Sequence, residues 1–456
     1  MSGDDLRAGA VFGAAFLVLL AAAEIWARRL GGKPEWTRKV VHVGGGAISL
    51  FLPSHVASPW TVLVLAVATA GFILAGRRWG FLRCVHGVNR KSRGSEYYPV
   101  AMFLVFLLAH EHPWLYAASI LVLAAADGAA ALIGTRYGRI RYGVEDEEKS
   151  LEGSLAFLAV AFVAITVPML VATDLPLAIV LLSAILVGLL VTAVEAVSLN
   201  GGDNLFVPLA VTVVLDATAA KPQGEIVSGV TSLVLLFVCL GLLVRGTRAF
   251  NAGATLVLVL FAWGAWALGS WLWAIPVLTG LVPFILFRYA TSPGDDYLGH
   301  ARVRVLSRVL LAPFLIAALA ARTSAHAFLY GPFLAACAAV LAMSSWRYLV
   351  WLRKPEGLAR TAGAALTALA AWAVVVLPAA MLHLDTSGTT LAAATAVLVT
   401  SLLAAVLFDR FLGSRPVIDS ATLWPVRQTG LVVLAAGLVA AAQWNEWVPA
   451  WKAVSP

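Results

Sequence analysis

The sequence predicts an all-α fold: a polytopic membrane bundle of about sixteen transmembrane helices in two halves. Three observations predict it. Hydrophobic residues make up 61% of the 456 positions and charged residues only 12%, whereas a soluble domain carries about 25% charge. Apolar runs of spanning length recur along the chain between short polar loops. Lys and Arg crowd into alternate loops, the pattern left when one set of loops faces the cytoplasm. The net charge of +8 is therefore read as membrane orientation, with no nucleic-acid partner expected.

Taken in order, the first run is Ala8–Trp26, and the acidic stretch before it, with Asp4 and Asp5, is unlike the basic start of a cleaved signal peptide. A basic loop follows with Arg28, Arg29, Lys33, Arg38 and Lys39, then a short run Val40–Leu52 holding His42 and Gly44-Gly45-Gly46. Trp60–Ala75 is the third run, and the most basic loop, Arg77–Tyr98, comes after it. Runs at Pro99–His110 and Pro113–Gly134 lead to the loop Thr135–Glu152, and runs at Gly153–Val171, Leu175–Val197, Leu205–Val214 and Ile226–Val244 complete the first half. If the loop after the first span is cytoplasmic, the loops Arg77–Tyr98, Thr135–Glu152, Ser198–Asn204 and Arg245–Arg248 are too. Three of these four are rich in Lys and Arg, and the loops between them hold almost none. The expected orientation puts the N-terminus outside and every polar motif on the cytoplasmic side.

The second half, expected from about residue 245, has runs at Ala252–Leu268, Leu272–Leu286, Val305–Ala321, Phe328–Trp351, Ala362–His383, Leu391–Leu407 and Leu431–Gln443. Trp263, Trp266, Trp271, Trp273, Trp346 and Trp351 near segment ends suggest an aromatic belt. Arg302, Arg304 and Arg308, then Arg353, Lys354 and Arg360, then Arg410, Arg415 and Arg427 mark alternate loops. Cys84, Cys239 and Cys337 lie far apart, with no metal spacing and no disulfide framework.

The chemistry-bearing residues lie in the first half. Asp127 sits about two helical turns inside an apolar run, roughly 10 Å deep, where an aspartate costs about 3 kcal/mol to insert. Either a divalent cation held with phosphates or an arginine on a neighbouring helix must compensate it. The small residues Gly128 to Ala131 leave room for a ligand. Gly134, Arg136 and Gly138 form a basic, glycine-bearing exit loop suited to phosphate. Gly143–Ser150 approximates a Walker A loop, but Glu148 replaces the second glycine and the flanks are membrane helices, so a P-loop is rejected. Lys149, Ser150, Glu152 and Gly153 stand where the next span begins, at a helix N-terminus that favours anions; Glu152 is alternatively a first-turn cap. The acidic run Glu145–Glu148 reads as a solvated face. His42 lies one turn beyond Arg38 on the same face and is either a proton acceptor or a packed histidine, with Lys39 beside it at a snorkelling position. Asn89–Pro99, including Arg93, suits lipid headgroups or nucleotide. Glu195, Asp203 and Asn204 offer hard oxygen donors for magnesium.

In this order, Arg38-Lys39-x-x-His42, Arg93-Gly94-x-x-Tyr97-Tyr98-Pro99, Asp127-x-x-Ala130-x-x-x-Gly134-x-x-x-Gly138, Lys149-Ser150-x-Glu152-Gly153-Ser154, and Glu195 with Asp203-Asn204-x-x-x-Pro208 resemble the CTP-dependent lipid-alcohol kinases, which include phytol kinase, dolichol kinase and the CTP-using diacylglycerol kinase. The resemblance covers about Leu20–Leu243. It implies transfer of the γ-phosphate of CTP, with Mg²⁺, to a lipid alcohol in the membrane. Arg38, Lys39, Asp127 and Gly134 fall on the family's shared positions. On this reading Asp127, Glu195, Asp203 and Asn204 hold the metal. Arg38, Lys39, Arg136 and Lys149 hold the triphosphate, and His42 or Asp127 takes the hydroxyl proton. Membrane lipids, CTP and the alcohol are the expected partners, along with a second copy of the chain if the second half dimerises. Two other classes stay open: a CTP-dependent cytidylyltransferase on a phospholipid, whose C-terminal Pro-Gly-His-Gly-Gly signature does not occur here, and a membrane transporter using intramembrane acids. Around Asn251–Tyr289 the second half resembles the membrane family that includes phytyl-phosphate kinase, without that family's further acidic motifs. The plainer expectation for it is an accessory or dimerising domain.

Overall fold

The structure is a computed structural model, and it describes residues 2–32, 34–86, 93–145, 147–247, 250–291, 303–353, 355–382, 388–412 and 423–451. Helices follow one another almost without interruption, as the apolar runs dictate. They are α1 (Gly3–Arg29), α2 (Pro34–Ser49), α3 (Leu52–His55), α4 (Pro59–Trp79), α5 (Arg83–His86), α6 (Gly94–Ala109), α7 (Pro113–Leu121), a π segment (Val122–Ala126) and α8 (Asp127–Tyr137). A hairpin of β1 (Arg141–Val144) and β2 (Glu147–Ser150) comes next, then α9 (Leu151–Ala172), α10 (Leu177–Val197), α11 (Asp203–Ala219) and α12 (Gln223–Thr247). The remaining helices are α13 (Ala252–Gly269), α14 (Trp271–Thr291), α15 (Val303–Thr323), α16 (His326–Arg353), α17 (Gly357–Leu382), α18 (Gly388–Leu412) and α19 (Leu423–Trp444). The fold is an all-α polytopic bundle.

Among the described residues, thirteen helices are long and apolar enough to cross a membrane, counting α7, the π segment and α8 as one span. The other three expected spans are the shorter helices α2 and α6, of 16 residues each, and α11, of 17. At 1.5 Å per residue such helices fall short of the roughly 30 Å hydrocarbon core. All three begin with polar residues that line the site described below.

Two compact units make up the chain, residues Met1–Thr231 and Ser232–Pro456. The division falls inside α12, some turns before the boundary near 245 that the change in loop character suggests. In the first unit the core is built by α6, α7, α9, α10 and α11 around Phe106, Tyr116, Phe157, Ile165, Val187 and Val211. Alanines at 118, 161 and 184 let these helices approach closely, and the Ser119 and Thr212 hydroxyls share a hydrogen bond of 2.8 Å across α7 and α11.

In the second unit the tryptophans depart from the expected belt. Trp263, Trp273 and Trp346 are buried. The indole N–H of Trp346 donates to Asp409 Oδ1 at 2.9 Å, and Arg360 Nε donates to the same oxygen at 2.7 Å. A buried acid needs donors, and a tryptophan and an arginine supply them. Trp271, 56% exposed, keeps a surface position. Arg302, Lys354 and Arg415 lie outside the described residues.

Candidate active site

The site is assembled around the π segment. Segments of this kind are frequent at functional sites. Its backbone is used here: His42 Nε2 donates to the carbonyl of Leu123 at 2.9 Å. Gly46 of α2 makes this possible. A Cβ there would lie 2.6 Å from Ala124 Cβ and 3.3 Å from the Tyr98 hydroxyl. Tyr98 completes the arrangement, its hydroxyl donating to the His42 carbonyl at 3.2 Å and its ring standing edge-on to the imidazole at 5.0 Å. Asp127 follows directly on the π segment and opens α8. Its Oδ2 lies 4.0 Å from His42 Nε2, and its side chain is 29% exposed.

Helices α8 and α9 cross at glycine. A Cβ on Gly153 would stand 3.0 Å from the Ala130 carbonyl and 3.2 Å from Gly134 Cα. Gly138 is equally crowded, against the Gly134 carbonyl and Ser150. These glycines serve the approach of two backbones. Ser150 caps α9 by accepting from the Gly153 N–H at 3.1 Å. Glu152 accepts the N–H groups of Arg139 at 2.9 Å and Ile140 at 3.2 Å, and so holds the chain as it leaves α8.

The hairpin is the element that the loop reading lacked. Arg141 pairs across from Ser150 and Val144 from Glu147. Its period of two turns Lys149 inward, where Nζ donates to Glu195 Oε1 at 2.6 Å and to the Glu195 carbonyl. The pair is 15% and 9% exposed. Burial pulls the Lys149 ammonium down, but the Glu195 carboxylate beside it more than compensates and holds it above the usual lysine range. The acidic run is not uniformly a solvated face: Glu147 and Glu148 both line the site, Glu147 accepting the Asn200 N–H at 3.3 Å and Glu148 pairing with Arg141 at 3.1 Å. Asp146 lies outside the described residues.

The α10–α11 loop turns through left-handed backbone at Asn200 (φ 55°) and Gly201 (φ 82°). It is tied to α6 by the Arg93 N–H, which donates to the Asn200 carbonyl at 2.9 Å. This turn brings Asp203 and Asn204 to the start of α11. Oδ1 of each is buried with no hydrogen-bond partner among the described residues.

One cavity of about 870 Å³ collects these groups. Arg38, His42, Asp127, Gly134, Lys149, Ser150, Gly153, Glu195, Asp203 and Asn204 all line it. Asp127 is close enough to interact electrostatically with Arg38, Lys39, Glu195 and Asp203, and Lys149 with Asp203. Arg38 donates through Nη2 to Glu35 at 2.8 Å, and its buried Nε has no partner. Lys39, Arg93, Arg136, Gly138 and Glu152 are not among the lining residues. Arg136 lies over the Tyr137 ring instead, 5.4 Å from its centre. Asn89–Ser92 are outside the described residues. Sequence reasoning assigned no role to Tyr98, although it stood in a quoted motif, nor to Arg77, Arg83, Arg141 and Glu147, which also line the cavity.

The donor set fits a hard divalent cation. Two buried, unpartnered oxygen atoms of Asp203 and Asn204 and the partly exposed Asp127 carboxylate are what magnesium takes. Glu195 is committed to Lys149. No group of three or more His, Cys, Asp or Glu side chains gathers in metal-binding geometry among the described residues, so a cation here would rely on the asparagine oxygen and on oxygens of its ligand.

Over 193 residues the chain is 34% identical to a phytol kinase from Synechocystis sp., an alignment covering 42% of this chain and 82% of that protein. No protein-family profile and no solved structure matches it.

Proposed function

The chain belongs to the phytol kinase family, and on that premise we propose that it transfers the γ-phosphoryl group of CTP to the hydroxyl of a phytol- or prenol-like alcohol dissolved in the membrane. The observation that carries this reading is the convergence of Arg38, Asp127, Lys149, Asp203 and Asn204 on one cavity of nucleotide-accommodating size. Phosphoryl transfer asks mainly for positioning and charge neutralisation, and this lining offers both. CTP, as against ATP, rests on the family resemblance.

The alcohol oxygen attacks the γ-phosphorus, the bond from that phosphorus to the bridging oxygen breaks, and CDP leaves. Asp127 takes the hydroxyl proton. His42 Nε2, the ring nitrogen 4.0 Å from Asp127, is an N–H donor to the Leu123 carbonyl and only Nδ1 is left to accept a proton, so His42 is read as positioning Asp127. Arg38, with an unpartnered Nε, and Lys149 lie against the phosphates. Asp127, Asp203 and Asn204 would hold Mg²⁺, which when bound draws charge from the phosphate oxygens. The excess of Lys and Arg in the loops on this side supports a cytoplasmic site, and the alcohol reaches it sideways from the bilayer.

The test is Asp127→Asn in the full chain. The expected outcome is loss of label transfer from γ-labelled CTP to lipid alcohol with normal membrane expression. Full activity in that variant would overturn the assignment.

A further inference from the structure

The cavity lining changes character by element. The acids and most of the cations come from α2, the start of α8, the hairpin and the α10–α11 region, whereas α1 contributes only Phe16, Leu19 and Leu20, and α4 with the segment after it adds Ile73, Leu82 and Val85 beside two arginines, Arg77 and Arg83. We propose that this apolar part, formed by Phe16, Leu19, Leu20, Ile73, Leu82 and Val85, is the binding site for the head-proximal stretch of the alcohol's tail. This rests on the kinase reading for the identity of the alcohol.

Three features argue for it. First, the apolar lining is continuous with the polar lining in a single cavity, so a tail lying there presents its hydroxyl toward Asp127. Second, the wall is pre-formed. The segment after α4 is tied down by the Cys84 N–H donating to Glu24 Oε2 at 2.8 Å, by Arg28 Nη2 donating to the Phe81 carbonyl at 2.8 Å, and by the Thr37 hydroxyl donating to the Cys84 carbonyl at 3.3 Å. These bonds hold Leu82 against Gly76, where any side chain would overlap it. Third, α1 separates two apolar faces. Leu17 and Val18 are 53% and 68% exposed, as lipid-facing residues are, while Phe16, Leu19 and Leu20 turn to the cavity.

The site is short. The α4 residues in the lining run from Thr69 to Arg77, about 12 Å along a helix. It therefore reads the isoprene units next to the hydroxyl, and the rest of the tail stays in the bilayer. Substrate choice follows the head-proximal structure of the alcohol and not its total length.

The experiment uses two photoreactive prenyl alcohols with the purified full chain in lipid nanodiscs, one bearing a diazirine on the isoprene unit next to the hydroxyl and one at the far end of the tail. Peptide mapping is expected to find the near-end probe on α1 and α4, chased by unlabelled phytol and weakened about ten-fold by Ile73→Trp, a steric exclusion of the size a pocket contact supplies. Leu17→Trp, on the lipid face, leaves labelling unchanged. The far-end probe gives no chaseable label there. Labelling as described in protein that transfers no phosphate would support this site while overturning the kinase reading. Near-end label falling on other helices, or indifferent to Ile73→Trp in protein that still phosphorylates alcohol, would overturn the inference.

Discussion

Replacing Lys149 with methionine tests the electrostatic frame of the site. The Lys149–Glu195 pair is 15% and 9% exposed, so it is not one of the surface pairs worth about 0–1 kcal/mol. Methionine keeps the length of the side chain and removes the charge, leaving Glu195 buried without its counter-ion. Breaking a buried pair from one side costs roughly 3–5 kcal/mol, which for a unit of this size lowers Tm on the order of 10 °C. Thermal unfolding of the purified protein in nanodiscs reads the stability, and alcohol phosphorylation reads the function. Lys149→Met/Glu195→Gln removes both charges and is expected to recover most of the lost Tm without recovering activity, because the cation beside Asp203 is still missing. The pH dependence follows from the raised Lys149 value. The contribution of the Lys149 charge is fully present below the ordinary lysine value of about 10.4 and is lost as pH rises through the higher folded value, so long as Glu195 is ionised. An unchanged Tm in Lys149→Met, or a fully active double variant, would refute this reasoning.

Two further outcomes are expected. His42→Gln keeps an N–H for the Leu123 carbonyl and is expected to retain most of kcat with an unaltered pH profile, whereas His42→Ala loses about 10²-fold through a misplaced Asp127; equal loss in both would make the histidine a proton acceptor. Gly153→Leu forces α8 and α9 apart, since its Cβ meets backbone at 3.0 and 3.2 Å, and is expected to cost about 1–3 kcal/mol in thermal unfolding, while Gly143→Ala, with open space around it, changes nothing.

Much of the fold was legible because each helix carries its own signal. Sixteen apolar runs correspond to helices, and the three weakest in length, α2, α6 and α11, are the ones that start with polar lining. The aromatic belt was misread because a tryptophan near a segment end looks the same whether it faces headgroups or, like Trp346, a buried carboxylate. In the site, depth inside an apolar run marked Asp127, whose insertion cost demands a purpose, and hard-oxygen chemistry at a span's end marked Asp203. The Lys149–Glu195 pairing was hidden because it needs the hairpin, and in a run of four acids the alternation that turns Glu147 and Lys149 inward carries no apolar signal. The π segment was equally hidden: Val122–Ala126 is plain apolar sequence, and nothing in it marks the carbonyl that His42 takes. Glycine was ambiguous in principle, since Gly134 and Gly153 look like phosphate-loop residues yet are required by a helix crossing.

The most direct measurement is the fate of the nucleotide. Purified full-length protein in nanodiscs with Mg²⁺ and phytol is given CTP labelled at the γ-phosphate or at the α-phosphate. Label is expected in the lipid from the γ-position alone, with CDP as the other product. Label in the lipid from the α-position with release of pyrophosphate, or no turnover of CTP with any lipid alcohol, would contradict it.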